Sequence, residues 1–184
     1  HNFHRNVSAP PHFTGAMAIT NSAPHEFDIA RFVLGCEYSS VCAFQPSMSI
    51  PGRGIGPVFM VLKTEQGQLV NIEINNNARY GYDVRGELVC ERGSISLRAA
   101  VHTEVNVNLG ATTDYPQDWR PRFADAYRLQ NHAWLRSIET GVVVGASAWD
   151  GYVASVTAVR AVEALQSGRE IEIRCAERPG LYRA

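Results

Sequence analysis

The sequence predicts an α+β domain, with a predominantly antiparallel open sheet and helices packed on one face. Apolar residues follow a helical period between residues 17 and 34, a period of two between residues 37 and 108, and a helical period again from residue 120. The strands of the middle region follow one another through short turns with no helix between them, which favours antiparallel pairing. A sheet covered on one side leaves its other face for water, a ligand or a second subunit.

The N-terminal region predicts an extended segment followed by a helix. Residues His1 to Gly15 contain Pro10 and Pro11 and show no amphipathic period, so we expect them to be extended. The helical pattern between Met17 and Leu34 is clearest in its second half, and Gly35 follows it where a C-cap glycine belongs.

The start of this helix places a histidine in its first turn. Pro24 fits the first turn, where a missing N–H costs nothing, and Ser22 or Asn21 is then the expected N-cap. Asn21 and His25 are four residues apart and share one helix face if the helix starts at Asn21. The helix dipole lowers the pKa of a histidine at this end, which favours the neutral imidazole that a general base needs.

The middle region predicts six strands, joined in part by hairpin turns at residues 65–68 and 91–93. Their expected ranges are residues 41–45, Val58–Leu62, Leu69–Asn75, Val84–Cys90, Ser94–Leu97 and Val101–Leu109.

The C-terminal third predicts two helices and a last strand. Residues 120–139 carry an apolar stripe made of Phe123, Tyr127, Trp134 and Ile138. The second helix starts at a capping box formed by Ser147 and Asp150 and ends at Gly168. Residues 170–174 are the expected last strand.

Length and composition limit the classes of function. The chain has 184 residues, which suits one domain, residues 1–184, and a formal net charge of −1. That charge argues against a nucleic-acid or anionic-membrane partner, and no apolar run approaches the ~18 residues of a membrane span. The four cysteines show no CxxC spacing and the histidines no HxxxH pair. We therefore expect reduced thiols in a cytoplasmic protein, and no metal site.

One glycine-rich stretch, from Gly52 to Pro57, invites comparison with a dinucleotide-binding loop. It lacks the GxGxxG spacing, and Pro57 and a strand follow where a helix should begin. We therefore expect an ordinary loop there and no cofactor-binding residues in this chain.

Neutral polar residues follow the third predicted strand. Asn75, Asn76 and Asn77 continue that strand although asparagine is a poor strand former, and the run Tyr80 to Asp83 comes next. Amides and phenols offer donors and acceptors without fixed charge, which suits a neutral polyol whose hydroxyls all need partners. By themselves these residues indicate a pocket for a polyhydroxylated ligand and no more, since single residues of these types are more often structural.

Four short stretches carry a family resemblance. They are HRN (His4–Asn6), MAITNSAPHEFD (Met17–Asp28), ARYGYDV (Ala78–Val84) and SAWDGY (Ser147–Tyr152). In this order they resemble the substrate domain of the inositol 2-dehydrogenases, in the Gfo/Idh/MocA oxidoreductase family. The resemblance covers essentially the whole chain, and the last two stretches are its more specific parts.

The resemblance implies half of an NAD-dependent dehydrogenase. In the family an N-terminal Rossmann domain, absent from this chain, binds NAD and supplies a catalytic lysine. His25 matches the catalytic histidine, and Asn21 stands where the family has an aspartate. Asparagine cannot accept a proton, so Asn21 would orient the substrate hydroxyl or the lysine. His25 would take the hydroxyl proton while a hydride passes to the nicotinamide, which converts the hydroxyl to a ketone.

The same resemblance implies which residues contact the substrate. His4, Asn6, Tyr82 and Tyr127 match positions that contact a cyclic polyol in the family. It also implies a homo-oligomer formed through the open sheet face. Because the Rossmann domain is absent, these 184 residues alone are expected to be inactive.

Other functions fit the same residues. The chain could be a stand-alone polyol- or sugar-binding module in which Asn21 marks lost catalysis, or purely a subunit-assembly domain. Within the dehydrogenases, a sugar or another inositol isomer is an alternative substrate, because residue types do not reveal the orientation of ring hydroxyls.

Overall fold

A computed structural model describes residues 1–7, 9–10, 12–46, 56–97 and 104–182. The strands within these ranges are β1 (Asn2–Asn6), β2 (Tyr38–Phe44), β3 (Val58–Thr64), β4 (Leu69–Asn75), β5 (Asp83–Cys90), β6 (Gly93–Leu97), β7 (Glu104–Val107), β8 (Gly110–Thr113) and β9 (Ile171–Glu172). The helices are α1 (Gly15–Met17), α2 (Pro24–Leu34), α3 (Arg120–Thr140) and α4 (Ala148–Ser167). A π-helical turn (Ala18–Ser22) joins α1 to α2, and a 3-10 turn (Gly180–Tyr182) lies near the C-terminus.

Seven of these strands form one open sheet in the order β6-β5-β1-β4-β3-β2-β9, and β7 and β8 form a separate hairpin. Neighbouring strands pair antiparallel, except that β1 runs parallel to β4. The predicted α+β class, with a mostly antiparallel open sheet, is confirmed.

The N-terminal segment differs from the prediction, because residues 2–6 form a strand inside the sheet. Asn2–Asn6 pair residue by residue with Asn71–Asn75 of β4 and with Asp83–Glu87 of β5. Without β1 the facing edges of β4 and β5 would carry unpaired backbone groups. The sequence hides this strand because His4, Arg5 and Asn6 break the apolar alternation that identifies a strand.

The core lies between the sheet and two helices, α2 and α4. The sheet contributes side chains from alternate positions, and these meet Phe27 of α2 and three small residues of α4. Ala158, Ala161 and Ala164 are spaced at one helical turn and are almost fully buried, so α4 can lie close to β2. The buried sheet residues include Phe3, Val41, Met60, Leu62, Ile72 and Ile74.

Helix α3 does not join this core, and the predicted apolar stripe on it is largely exposed. None of its residues is buried, and Trp134 and Ile138 are 62% and 64% exposed. Phe123, in its first turn, contacts the ring of Tyr82. Neither α3 nor another helix of the described ranges is long and apolar enough to cross a membrane.

The N-cap predicted for α2 is wrong. The N-cap residue is Ala23, which makes no side-chain cap bond, because the π-helical turn runs directly into α2. The Ser22 side chain is buried and accepts a hydrogen bond from the Asn76 amide at 3.0 Å. The other end agrees with the prediction, since Gly35 adopts φ +66° as a left-handed C-cap.

The last predicted strand of the middle region is a hairpin. Residues 101–103 lie outside the described residues, and β7 and β8 are joined by a turn at Asn108 and Leu109 with φ of 51° and 61°. Two successive positive φ values are typical of a type I′ hairpin turn. Residues 51–55, most of the predicted glycine-rich loop, also lie outside the described ranges.

Candidate functional site

A cavity of about 710 Å³ lies on the helix side of the sheet. Its walls come from β1, α2, β5 and β6, and from residues 119–130 around the start of α3. This volume lies within the range of small-molecule sites, roughly 300–1,000 Å³. Most of the wall is apolar, and its polar side chains are those of Arg5, His25, Glu26, Tyr82, Arg85, Tyr127 and Gln130.

His25 lines this cavity from the second position of α2 and is exposed. Its pKa lies below the ordinary value of 6.5, chiefly because the ring is partly desolvated and also because Arg5 is nearby, while Asp28 acts in the opposite direction. The direction agrees with the prediction made from the helix dipole, but burial and Arg5 are the causes found here. The neutral imidazole is able to accept a proton.

A buried ion pair that the sequence analysis missed lies beside His25. The Arg5 Nε donates to Glu26 Oε1 at 2.7 Å, and the two side chains are only 13% and 3% exposed. Burial raises the pKa of Glu26 to about 7, against the pull of Arg5. Arg5 was missed because its segment was not predicted as a strand, so nothing indicated that its side chain faces α2.

Tyr82 is tied to the same pair. Arg5 Nη1 donates to the Tyr82 hydroxyl at 3.1 Å, and the Tyr82 ring meets Phe123 edge-on with centroids 6.3 Å apart. Gly81 permits this placement because it adopts φ +126° and a Cβ there would lie 2.5 Å from the Cβ of Tyr115. Tyr82 therefore lies at the cavity wall, with its ring packed against Phe123 and its hydroxyl bonded to Arg5.

Tyr127, the other predicted tyrosine, also lines the cavity. It lies on α3 with its ring 5.2 Å from that of Trp119, and it is about half exposed. The structure thus brings His25, Tyr82 and Tyr127 to one cavity, although they are far apart in the sequence.

Asn21 is not among the residues that line this cavity. It is exposed and belongs to the π-helical turn, whose wider winding breaks the four-residue spacing that was expected to align it with His25. Its role in orienting a substrate or a lysine stays a prediction.

His4 and Asn6 face the other side of the sheet. Their neighbour Arg5 points towards α2, so the alternation of β1 sends both side chains to the open face. His4 Nδ1 lies 3.4 Å from Glu73, and the Asn6 amide contacts both the His4 ring and the Tyr80 hydroxyl. The structure does not bring them together with His25, and their contact with a substrate stays a prediction.

This second polar cluster is centred on a buried carboxylate. The Tyr80 hydroxyl donates to Asp83 at 3.2 Å, and Arg85 pairs with Asp83 at 2.6 Å. Asp83 is fully buried, while partial burial and the Asp83 charge raise the pKa of Tyr80 to about 12. The neutral polar run that the sequence indicated is therefore divided, with Tyr80 and Asp83 on the open face and Tyr82 at the cavity.

Comparison with known proteins gives a consistent result. A family model described as the C-terminal alpha/beta domain of an oxidoreductase family matches residues 3–173. Inositol 2-dehydrogenase of Streptomyces avermitilis is 44% identical over 99% of this chain and 54% of its own length. Inositol 2-dehydrogenase 1 of Saccharopolyspora erythraea is 40% identical over 99% of this chain and 55% of its own. The chain thus spans about half the length of these relatives.

A solved structure has the same fold. Myo-inositol dehydrogenase from Lactobacillus casei, in complex with NAD(H) and myo-inositol, superposes with a TM-score of 0.88 at 27% identity. The match covers 99% of this chain and 56% of that chain.

The raised pKa of Glu26 predicts how the free energy of unfolding changes with pH. Between pH 4.5 and about 7 the folded chain holds a proton that the unfolded chain releases. The contribution of Glu26 to the free energy of unfolding therefore falls as the pH rises through this window. Glutamine does not titrate, so the destabilisation caused by Glu26→Gln should shrink with rising pH, by up to roughly 3 kcal/mol.

Urea denaturation of both proteins across this pH range measures the effect. Taking the difference between the two proteins removes the contribution of His25, whose lowered pKa acts with the opposite sign. A difference that stays constant or grows with pH would contradict the raised pKa of Glu26.

Proposed function

Because this chain belongs to the Gfo/Idh/MocA oxidoreductase family, as its C-terminal alpha/beta domain, we propose that it is the substrate-binding part of an NAD-dependent cyclitol dehydrogenase. The observation that carries the proposal is the 44% identity to an inositol 2-dehydrogenase along nearly the whole chain. The reaction proposed is oxidation of one ring hydroxyl of a cyclic polyol, with myo-inositol as the first candidate, to a ketone.

His25 is the proton acceptor in this proposal. Its lowered pKa keeps the imidazole neutral near neutral pH, and it lies at the wall of the cavity that would hold the ring. Tyr82 and Tyr127 present phenolic groups to the same space, where they can hydrogen-bond other ring hydroxyls. NAD, when bound, supplies the hydride acceptor, while the residues of this chain supply the proton acceptor and the substrate wall.

The described residues do not fit the diphosphate of NAD. Among them, no glycine-rich turn leads from a strand into a helix, which is the arrangement that holds a dinucleotide in a Rossmann domain. We therefore place the main NAD-binding site in a domain outside these 184 residues. The relatives named above are long enough for such a domain, since this chain covers only 54% and 55% of them.

The first test is activity with and without that domain. The full-length protein, meaning these residues together with the proposed NAD-binding domain, should reduce NAD when myo-inositol is added. These 184 residues alone should not, because they lack the site for the hydride acceptor. Absorbance of NADH at saturating myo-inositol measures both, and turnover by the shorter chain would overturn the proposal.

His25→Ala in the full-length protein should lower kcat by about 10²–10⁴-fold, the usual effect of removing a general base. The matched control is His132→Ala, an exposed residue of α3 outside the cavity, which should leave the rate within twofold. NAD reduction with myo-inositol measures both variants. An unchanged rate for His25→Ala would assign the base to another residue.

We also propose that the chain assembles through the open face of its sheet. Phe44 and Phe59 lie opposite each other on neighbouring strands of this face and are 55% and 41% exposed, and Val89 is exposed on the same face. Neighbouring apolar side chains on one face are typical of an interaction surface. A second copy of the same sheet is the simplest partner, because two-fold interfaces pair a patch with itself.

Phe59→Glu should therefore dissociate the oligomer, since it places a charge in the middle of this face. Val159→Glu, on the exposed side of α4, is the matched control and should leave the assembly intact. Sedimentation equilibrium of the unsubstituted protein and both variants measures the masses. A monomeric unsubstituted protein at high concentration would contradict the proposal.

A further inference from the structure

We propose that Arg5 is a positioning residue of the cavity. Glu26 fixes the guanidinium of Arg5, and this guanidinium in turn holds the Tyr82 hydroxyl and places a fixed positive charge beside His25. This inference rests on the proposed function, in which His25 accepts the proton of a ring hydroxyl. It assigns a task to Arg5 and Glu26, two residues to which neither the family resemblance nor the proposed reaction gives a role.

The guanidinium is held rigidly. Arg5 lies in β1, an interior strand of the sheet, and is flanked by Ile74 of β4 and Val84 of β5. Its Nε donates a hydrogen bond to Glu26 at 2.7 Å, and its Nη1 donates one to the Tyr82 hydroxyl at 3.1 Å. A planar guanidinium bonded at two of its nitrogens has one orientation, so the carboxylate of α2 determines where the arginine presents its other donors.

The bond to Arg5 makes Tyr82 a hydrogen-bond donor to the cavity. A phenolic oxygen that accepts an N–H still carries its own proton. None of the described residues accepts that proton, and Tyr82 lines the cavity. Tyr82 is thus prepared to donate to an oxygen of the bound ligand, which a polyol offers at every ring position.

The charge of Arg5 acts on His25 as well. The charged or titratable groups that face His25 or share its cavity are Arg5 on β1, Glu26 and Asp28 on α2, Tyr82 and Arg85 at β5, and Tyr127 on α3. Of these, Arg5 lowers the pKa of His25 and Asp28 raises it, in addition to the effect of burial. The fixed positive charge of Arg5 therefore disfavours protonation of the His25 imidazole, which stays neutral and able to accept a proton.

Stability alone does not account for the pair. A buried ion pair is often no more stabilising than apolar residues of the same volume, because both charges lose their water. The wall around it is apolar, with Phe3, Ile29 and Val84 nearby. Two charges in this setting are better explained by what they do to Tyr82 and His25.

Three variants of the full-length protein separate the two tasks. Arg5→Met removes both the bond to Tyr82 and the charge, so KM for myo-inositol should rise about tenfold, the usual effect of a lost charge-assisted hydrogen bond. The acidic limb of kcat/KM should also move to higher pH, because the pKa of His25 rises. Arg5→Lys keeps the positive charge but cannot make both hydrogen bonds, to Glu26 and to Tyr82. KM should therefore rise, while the acidic limb of kcat/KM should stay at the same pH. Arg160→Met, which breaks an exposed ion pair of α4, is the control and should change neither.

Tyr82→Phe tests the coupling. If Arg5 acts on KM through Tyr82, the double variant with Arg5→Met should raise KM no further than Tyr82→Phe alone. If the increases in KM caused by the two substitutions multiply in the double variant, Arg5 does not act on KM through Tyr82. This comparison of KM values does not depend on the pH profile of kcat/KM. If Arg5→Met folds poorly, Arg5→Lys replaces it in the double variant.

An NMR titration of the labelled His25 ring in the same proteins gives a readout independent of activity. Its pKa should rise in Arg5→Met and remain near that of the unsubstituted protein in Arg5→Lys. An unchanged pKa in Arg5→Met would overturn the electrostatic role. If the pKa moves but the full-length protein does not oxidise myo-inositol, the proposed function fails and the electrostatic role of Arg5 stands.

Discussion

The ion pair between Arg5 and Glu26 is the interaction on which the cavity depends. It joins β1, an interior strand of the sheet, to α2, and its partners are 13% and 3% exposed. Neither charge can be buried there alone without a large cost in free energy, so strand and helix must meet at this point. The contact places His25, one residue before Glu26, at the cavity wall, and the same guanidinium holds Tyr82. Two hydrogen bonds of one guanidinium thereby connect β1 to α2 and to Tyr82, the residue just before β5.

The alternation of β1 divides the polar residues of the domain into two groups. Phe3 and Arg5 face the helices, while His4 and Asn6 face the open side with Glu73. The residues that resemble one substrate site are therefore distributed over both faces of the sheet. The cavity group is built around His25 and the open-face group around the buried Asp83, and only the first is enclosed by helices.

Much of the apolar surface of this chain has no partner within the described residues. Trp134, Leu135 and Ile138 of α3 are more than half exposed, as is Phe44 on the open sheet face. Exposed apolar side chains that lie close together are typical of interfaces. The second copy proposed against the open sheet face would cover Phe44.

The sequence by itself determined the elements whose pattern is local. Strands β3 and β4 follow from their period of two, Gly35 and Gly168 end their helices with φ of +66°, and the capping box of Ser147 and Asp150 starts α4 as predicted. Motif order was also sufficient to identify the family and to choose His25, Tyr82 and Tyr127, which share one cavity. Only the tertiary structure decided that residues 2–6 form an interior strand of the sheet, that Arg5 meets Glu26 and that His4 turns away from His25. The reason is that the face of a strand residue depends on pairing with distant strands, here Leu69–Asn75 and Asp83–Cys90, and no local pattern in His4-Arg5-Asn6 records that register.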